Sequence, residues 1–465
     1  MSKKRKIFNS IELIDIGVKG QCIGKTSDGV VLMVKNGVPG DIVNIETFRK
    51  KKNYLLGNIT KYISFSKSRT DPRCEHFGTC GGCKWQNMLY DSQTQFKENK
   101  IRYSFKKICN TKVESIIKCK DKYFYRNKLE FSFTENRWLT YEEINSKKEV
   151  KERRGVGFHI SGMWDKVIDI NNCHLQSYPS NKIRLSVKEF AINNEISFYN
   201  SRLKNGMLRS LMIRNSSLNE FMVLIQFFEN NNNKISLLMN HLKNSFNEIT
   251  SLQYTINNKE NDSIYDREIK LFSGKKYINE VIDKLNFKIY PKSFFQTNIN
   301  QTIKLYDLVK EFAKLKGNET VFDLYSGLGT ISQFVAKNAK KVIGIESIKE
   351  AVSSAKKSAI SNKINNVEFV LGDMKNIFTS KFISKYDHPD VIITDPPRDG
   401  MHKDVIKEIL KLETKSIVYV SCNPSTQCRD LELLKEKYDI KKVQPIDMFP
   451  HTDHVENVVL LNLRS

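Results

Sequence analysis

No apolar run in the 465 residues approaches the ~18 that a membrane-spanning helix needs. The basic start, MSKKRKIFNS, is not followed by the apolar stretch of a secretion signal. Both absences predict a cytoplasmic protein with no membrane partner. The nine cysteines are odd in number and irregular in spacing, which argues against a disulfide framework and for ligands, nucleophiles or core residues. Acidic residues are scarce, 52 against 76 Lys and Arg, for a formal charge of +24. The deficit is uneven. From residue 300 onward the chain holds 25 basic and 22 acidic residues, leaving 51 and 30 before it. So strong an asymmetry predicts a polyanionic partner, and nucleic acid fits best because neutralising phosphates drives its binding. A phospholipid surface fits less well, since no amphipathic anchor is evident.

The organisation reads as three parts. Residues 1–65 alternate short β-type runs with glycine turns, which predicts a small β-barrel. Residues 66–290 open with a cysteine-dense segment and a helical stretch over about 85–110, then continue as strands broken by polar inserts, predicting an α+β region. Residues 291–465 alternate helix and strand, starting with a helix over 301–314, and end in two closely spaced β runs. That pattern predicts a doubly wound, mostly parallel α/β sheet closed by an antiparallel hairpin.

Within the last part, VFDLYSGLGT places Asp323, Gly327 and Gly329 where a strand turns into a helix. The third glycine of a dinucleotide fingerprint is missing, with Ser332 in its place, and the nearby Asp323 would repel a pyrophosphate. Glu346 ends the next strand, where a carboxylate can hold ribose hydroxyls, and Asp373 ends the third, within reach of an adenine edge. Each acid alone can equally cap the following helix. Taken together they fit S-adenosylmethionine, which has ribose, adenine and an amino-acid tail but no phosphate.

The next two strands end in TDPPRDG and SCNPST, so Asp395 and Cys422 point to the same end of the sheet. A free cysteine is most often a small core residue, yet Cys422 stands at a strand exit before Asn-Pro. A nucleophile beside a methyl donor suggests one reaction. Carbon-5 of uracil becomes nucleophilic once a thiolate adds to carbon-6, and a base must then remove the carbon-5 proton to release the thiolate.

The motifs DLYSGLGT, ITDPPRDG, VYVSCNPSTQCRD and DMFPHTDHVENVVLL resemble those of the RNA uracil-5-methyltransferase family, in particular its iron–sulfur-containing 23S ribosomal RNA branch. The resemblance covers nearly the whole chain. It implies a Rossmann-like methyltransferase domain in residues 291–465 and a TRAM barrel in the first 65. It also implies Cys422 as nucleophile, Glu456 as base, and methyl-donor contacts at Gln296, Tyr325, Thr330, Glu346, Asp373 and Asp395. Thr330 stands where the ribosomal branch often has asparagine.

Cys74, Cys80 and Cys83 form C-x5-C-x2-C around Gly81-Gly82, and three thiolates need a fourth ligand. Cys173 is the best candidate, with Cys109 and Cys119 as alternatives. Spacing leaves zinc and [4Fe–4S] comparable; the resemblance implies [4Fe–4S] on Cys74, Cys80, Cys83 and Cys173. The C-x3-C-x2-C pattern of radical enzymes is absent, so a structural role is expected. KYFYRNKLEFSF and YPKSFFQ interleave basic and aromatic residues, which suits RNA but also suits strand cores. Lys3–Lys6 and Arg49–Lys52 are either backbone clamps or solvated charge. The resemblance favours 23S rRNA over tRNA as substrate, and a monomer is the default. Two other readings stay open: an amino-group methyltransferase using the DPPR loop, disfavoured because Arg398 replaces the stacking aromatic, and a non-catalytic RNA-binding assembly factor.

Overall fold

The computed structural model describes residues 5–146 and 148–464; Lys3 and Lys4 of the basic start therefore lie outside the described residues. Five strands, Ile7–Ile16, Cys22–Lys25, Val31–Val34, Ile42–Lys50 and Leu55–Ser64, close into a barrel. Strand alternation turns Leu13, Leu32, Val34, Val43 and Ile45 inward to form its core.

A seven-stranded sheet follows, ordered Lys270–Gly274, Ile249–Ile256, Phe221–Phe227, Leu208–Asn215, Lys128–Thr134, Gly155–His159 and Val167–Asp169. Helices Ser180–Asn193 and Asn232–Ser245 cover one face, where Val223 and Ile225 point. Met222 and Leu224 point the other way and join the core of the C-terminal part. Phe221–Phe227 is consequently buried at every position.

The C-terminal sheet runs Val367–Leu371, Lys341–Glu346, Thr320–Leu324, Val391–Thr394, Ser416–Ser421, Glu456–Leu463, Tyr438–Ile446. The first five strands are parallel, and Glu456–Leu463 is antiparallel to both its neighbours. This is the Rossmann-like, doubly wound arrangement with its terminal hairpin. Val321, Val418 and Val458 face helices Ile299–Ala313 and Thr330–Ala336. Their neighbours Phe322, Tyr419 and Val459 face helices Lys403–Leu412 and Pro424–Leu434. The helix expected from residue 301 begins at Ile299 because the Asn298 side chain caps it by accepting from Gln301 N–H.

Besides Met222 and Leu224, a second packing relation crosses the expected boundary at 290. Helix Tyr90–Phe105 buries Ile101 and Phe105 in the C-terminal core. Glu114 N–H and Ile117 N–H donate to Val443 O and Pro445 O, each at 3.0 Å. Tyr438–Ile446 is an edge strand whose outer carbonyls need donors, and this early segment supplies them. Among the described residues, no helix is long and apolar enough to cross a membrane.

Candidate active site

A cavity of about 1710 Å³ opens beyond the carboxyl ends of the parallel strands. All eight residues expected there line it: Gln296, Tyr325, Thr330, Glu346, Asp373, Asp395, Cys422 and Glu456. The glycine turn shapes its floor. Gly329 has φ 70°, and a Cβ there would meet the Phe369 ring at 2.3 Å. Ser332, in place of the third glycine, instead donates its hydroxyl to Asp323. Burial pushes the Asp323 carboxyl up to about 7.

The acids at the strand ends also do local work. Glu346 accepts from Gly327 N–H (2.9 Å) and Ile348 N–H (2.8 Å), so it fastens the glycine turn to the next loop. Asp373 caps helix Met374–Ile377 by accepting from Lys375 N–H at 2.9 Å. The expected capping role is therefore present at Asp373 alone, since helix Lys349–Ser361 after Glu346 has no side-chain cap; both carboxylates still face the cavity. Thr330 Oγ1 lies 2.7 Å from the hydroxyl of Tyr306, a buried side chain of helix Ile299–Ala313 that also lines the cavity. Sequence reading passed over Tyr306, which looks like any aromatic on an apolar helix face.

Antiparallel register brings the thiol and the last acid together. Ser421 pairs with Asn457, so Cys422 and Glu456 lie at adjacent ends of neighbouring strands. Pro424 occupies the first turn of helix Pro424–Leu434, capped by Asn423, whose Oδ1 accepts from Ser425 N–H at 3.2 Å. That cap explains the Asn-Pro after the thiol. Asn423 Nδ2 (2.9 Å) and Thr426 Oγ1 (3.0 Å) donate to the Arg398 carbonyl, and Asp430 accepts from Met401 N–H at 2.7 Å. The DPPR and SCNP loops are thus tied to one another.

The electrostatics follow from dry surroundings shared by like charges. Glu456 is 5% exposed; burial, with Asp395 adding and Arg398 opposing, pushes its carboxyl up to about 8. Burial takes Asp395 up to about 7. The Cys422 thiol rises to about 11 through burial and then the charges of Glu456 and Asp395, again opposed by Arg398.

The cysteines sort into two groups. Burial, with the charges of Cys83, Cys173 and Cys74 adding, raises Cys80 to about 12. Gly81 N–H donates to His159 O at 3.1 Å, and Cys80 bridges to Ile160, which folds the loop onto the central sheet. The alternative fourth ligands are elsewhere: Cys119 lies beside Asn298, and Cys109 beside Cys428. Among the described residues no three His, Cys, Asp or Glu side chains form a group that could hold a metal ion.

Most of the aromatics in KYFYRNKLEFSF are core residues: Tyr125, Phe131 and Phe133 are buried. Phe124 is exposed beneath Arg73 (5.0 Å to its ring), and Phe294, 72% exposed, lines the cavity. Arg126, Phe449 and His454 also line it; they stand in the quoted motifs, which gave them no individual role. Arg49 to Lys52 have no carboxylate partner within 4.0 Å among the described residues.

Comparison with known proteins bears on the family and the fold. A family model described as tRNA (Uracil-5-)-methyltransferase matches residues 89–464, and one described as TRAM domain matches residues 11–60. An uncharacterized RNA methyltransferase of Bacteroides thetaiotaomicron is 47% identical over 97% of this chain and 100% of its own length. One of Porphyromonas gingivalis is 44% identical over 97% and 99%. The solved structure of the Pyrococcus abyssi tRNA (uracil-54, C5)-methyltransferase in complex with S-adenosyl-L-homocysteine is similar, with TM-score 0.76 and 28% identity. It aligns over 98% of this chain and 100% of its own.

Proposed function

The chain belongs to the tRNA (uracil-5-)-methyltransferase family, S-adenosylmethionine-dependent enzymes acting on RNA, and from that premise we propose a covalent route to 5-methyluridine in 23S rRNA. The observation that carries the route is the placement of Cys422 and Glu456 at adjacent strand ends in one cavity. The Cys422 thiolate adds to carbon-6 of the uracil, sending electron density to carbon-5. S-adenosylmethionine supplies the methyl group that carbon-5 accepts. Glu456 then takes the carbon-5 proton, the 5,6 double bond re-forms, and the Cys422–carbon-6 bond breaks. Asp395, Glu346, Asp373, Gln296, Tyr325 and Thr330 hold the methyl donor, and Asp395 also faces the uracil. To reach Cys422 the base leaves its stack. An amino-group methyltransferase would leave the thiol idle and would lack an aromatic at Arg398.

The pH profile tests the base. A carboxyl raised to about 8 is protonated, hence useless as a base, at lower pH. The breakdown of the methylated adduct, followed in a single turnover, is expected to slow about tenfold per unit as pH drops below about 7. A flat profile between about pH 6 and 9 would rule out Glu456 as the base.

The reading extends to a [4Fe–4S] cluster on Cys74, Cys80, Cys83 and Cys173. The assignment rests on the resemblance, since the described residues hold no assembled metal group; four thiols suit a cluster in kind and number, and their burial disfavours thiolates unless a metal is bound. Its role is to pin the central region. Equal iron and sulfide content in the protein and its Cys173→Ser variant would remove this assignment.

The rRNA target is supported by the resemblance alone. The Pyrococcus protein is named for uracil-54 of tRNA and aligns along the whole chain, which favours tRNA as the second reading. Mass mapping of 5-methyluridine in both RNAs from cells lacking the gene decides: loss in 23S rRNA is expected, and loss confined to tRNA overturns the rRNA assignment.

A further inference from the structure

Glu456 opens its strand immediately after the segment Asp447–Val455, which crosses from the preceding strand. Side chains of this segment divide by direction. Phe449 and His454 line the catalytic cavity with Glu456. Asp447 and His451 turn inward and are buried. What holds them comes from far earlier in the chain.

Lys97, fully buried in helix Tyr90–Phe105, donates its ammonium to Asp447 Oδ1 at 2.6 Å and to Phe449 O at 2.9 Å. Asp447 Oδ1 also accepts Phe449 N–H at 3.0 Å, and Tyr90 donates to Oδ2 at 2.8 Å. Gln93, one helical turn before Lys97, accepts His451 N–H at 2.8 Å, and its amide nitrogen lies 3.2 Å from His451 Nδ1. Lys84 and Trp85, the two residues after Cys83, both donate backbone N–H to His451 O, at 2.8 and 3.1 Å. The Lys84 ammonium pairs with Asp453 at 2.6 Å. His451 is held at φ 65°, a left-handed backbone that a bulky residue adopts only when its surroundings impose it. Here those surroundings are two hydrogen bonds to Gln93, two to its carbonyl, and the Tyr123 ring at 4.6 Å.

We propose that Lys97, Gln93 and Lys84 are positioning residues for the proton-abstraction step: they lock the Asp447–Asp453 segment so that the carboxylate of Glu456 meets the carbon-5 hydrogen. The inference rests on the covalent route above. None of the three lines the cavity, so they act through the segment alone. The Cys422 loop is held by other partners, Asn423, Thr426 and Asp430. Loosening the segment therefore leaves thiolate addition and methyl transfer intact and slows the removal of the carbon-5 proton.

The test uses the full-length protein, RNA containing its target uridine, and methyl-labelled S-adenosylmethionine, with Lys97→Met and Lys84→Ala compared to wild type and to Glu456→Gln. A displacement of the base by about 1 Å is expected to slow turnover about 100-fold in Lys97→Met, and less in the half-exposed Lys84→Ala. In both, methyl-labelled RNA should accumulate bound to protein under denaturing conditions, as in Glu456→Gln. Variants that lose labelled adduct and product in equal measure, or that turn over like wild type, overturn the proposal. If Lys97→Met does not fold, Lys84→Ala is judged on the same criterion. Absence of adduct in Glu456→Gln itself would instead refute the covalent route.

Discussion

Cys422→Ala is expected to abolish methylation, lowering turnover by about 10⁴-fold or more, the scale seen when a covalent nucleophile is removed. The reason lies in the substrate. Carbon-5 of uracil is too poor a nucleophile for a methyl donor until sulfur joins carbon-6, and among the described residues Cys422 is the one cysteine lining the cavity. The thiol rises to about 11 in the unliganded site, where it sits near two carboxyls. At that value the free protein holds it as the thiol, and added positive charge in the cavity favours the thiolate. RNA carrying 5-fluorouridine makes the prediction visible. Fluorine cannot leave as a proton does, so wild type should form an adduct that survives denaturation while Cys422→Ala forms none. An adduct of equal yield in the variant would refute the nucleophile.

Glu456→Gln carries two large and opposite effects. Catalytically, glutamine cannot take the carbon-5 proton, so product should fall by about 10²- to 10⁴-fold, the usual worth of a general base, while methylated adduct accumulates. Thermodynamically, the same variant should gain stability at alkaline pH. The carboxyl is raised from 4.5 to about 8 in the folded chain, so below 4.5 it is neutral in both states and contributes nothing. As pH rises from 4.5 to 8 the unfolded chain ionises freely and the folded one does not. The fold is thereby penalised by up to about 5 kcal/mol, complete above pH 8. Glutamine never ionises and escapes this. Melting temperatures of variant and wild type should coincide near pH 4 and separate in the variant's favour near pH 9. Equal melting at both values would mean that Glu456 is not held in a dry site. The stability sacrificed at this position is consistent with a functional group kept there for its reactivity.

How far the chain could be read without its structure depends on how local each feature is. The barrel, the α/β alternation and the final hairpin are written in periodicity and turn residues, and they appear where expected. Cys422, Glu346 and Asp395 are legible because each ends a strand, and strand ends in a parallel sheet share one edge. Glu456 was not legible by position alone. Its motif pointed to it, but only the antiparallel pairing of Ser421 with Asn457 shows why it stands beside Cys422. Tyr306 and Lys97 gave no signal at all, since a tyrosine or lysine on a helix looks the same whether it faces solvent, core or site.

The linear sequence, then, determined the kind of elements, the strand-end residues and the chemistry those residues can do, because periodicity and side-chain type are properties of short segments. Tertiary structure alone decided that helix Tyr90–Phe105 completes the C-terminal core, and that Lys97 grips a segment 350 residues further on. It also decided that Cys119, one of the alternative fourth ligands, lies against Asn298 at the start of a C-terminal helix. Those are choices of partner across long separations. They are set by which buried polar group and which open strand edge remain to be satisfied once the sheets have formed, and no local pattern encodes that.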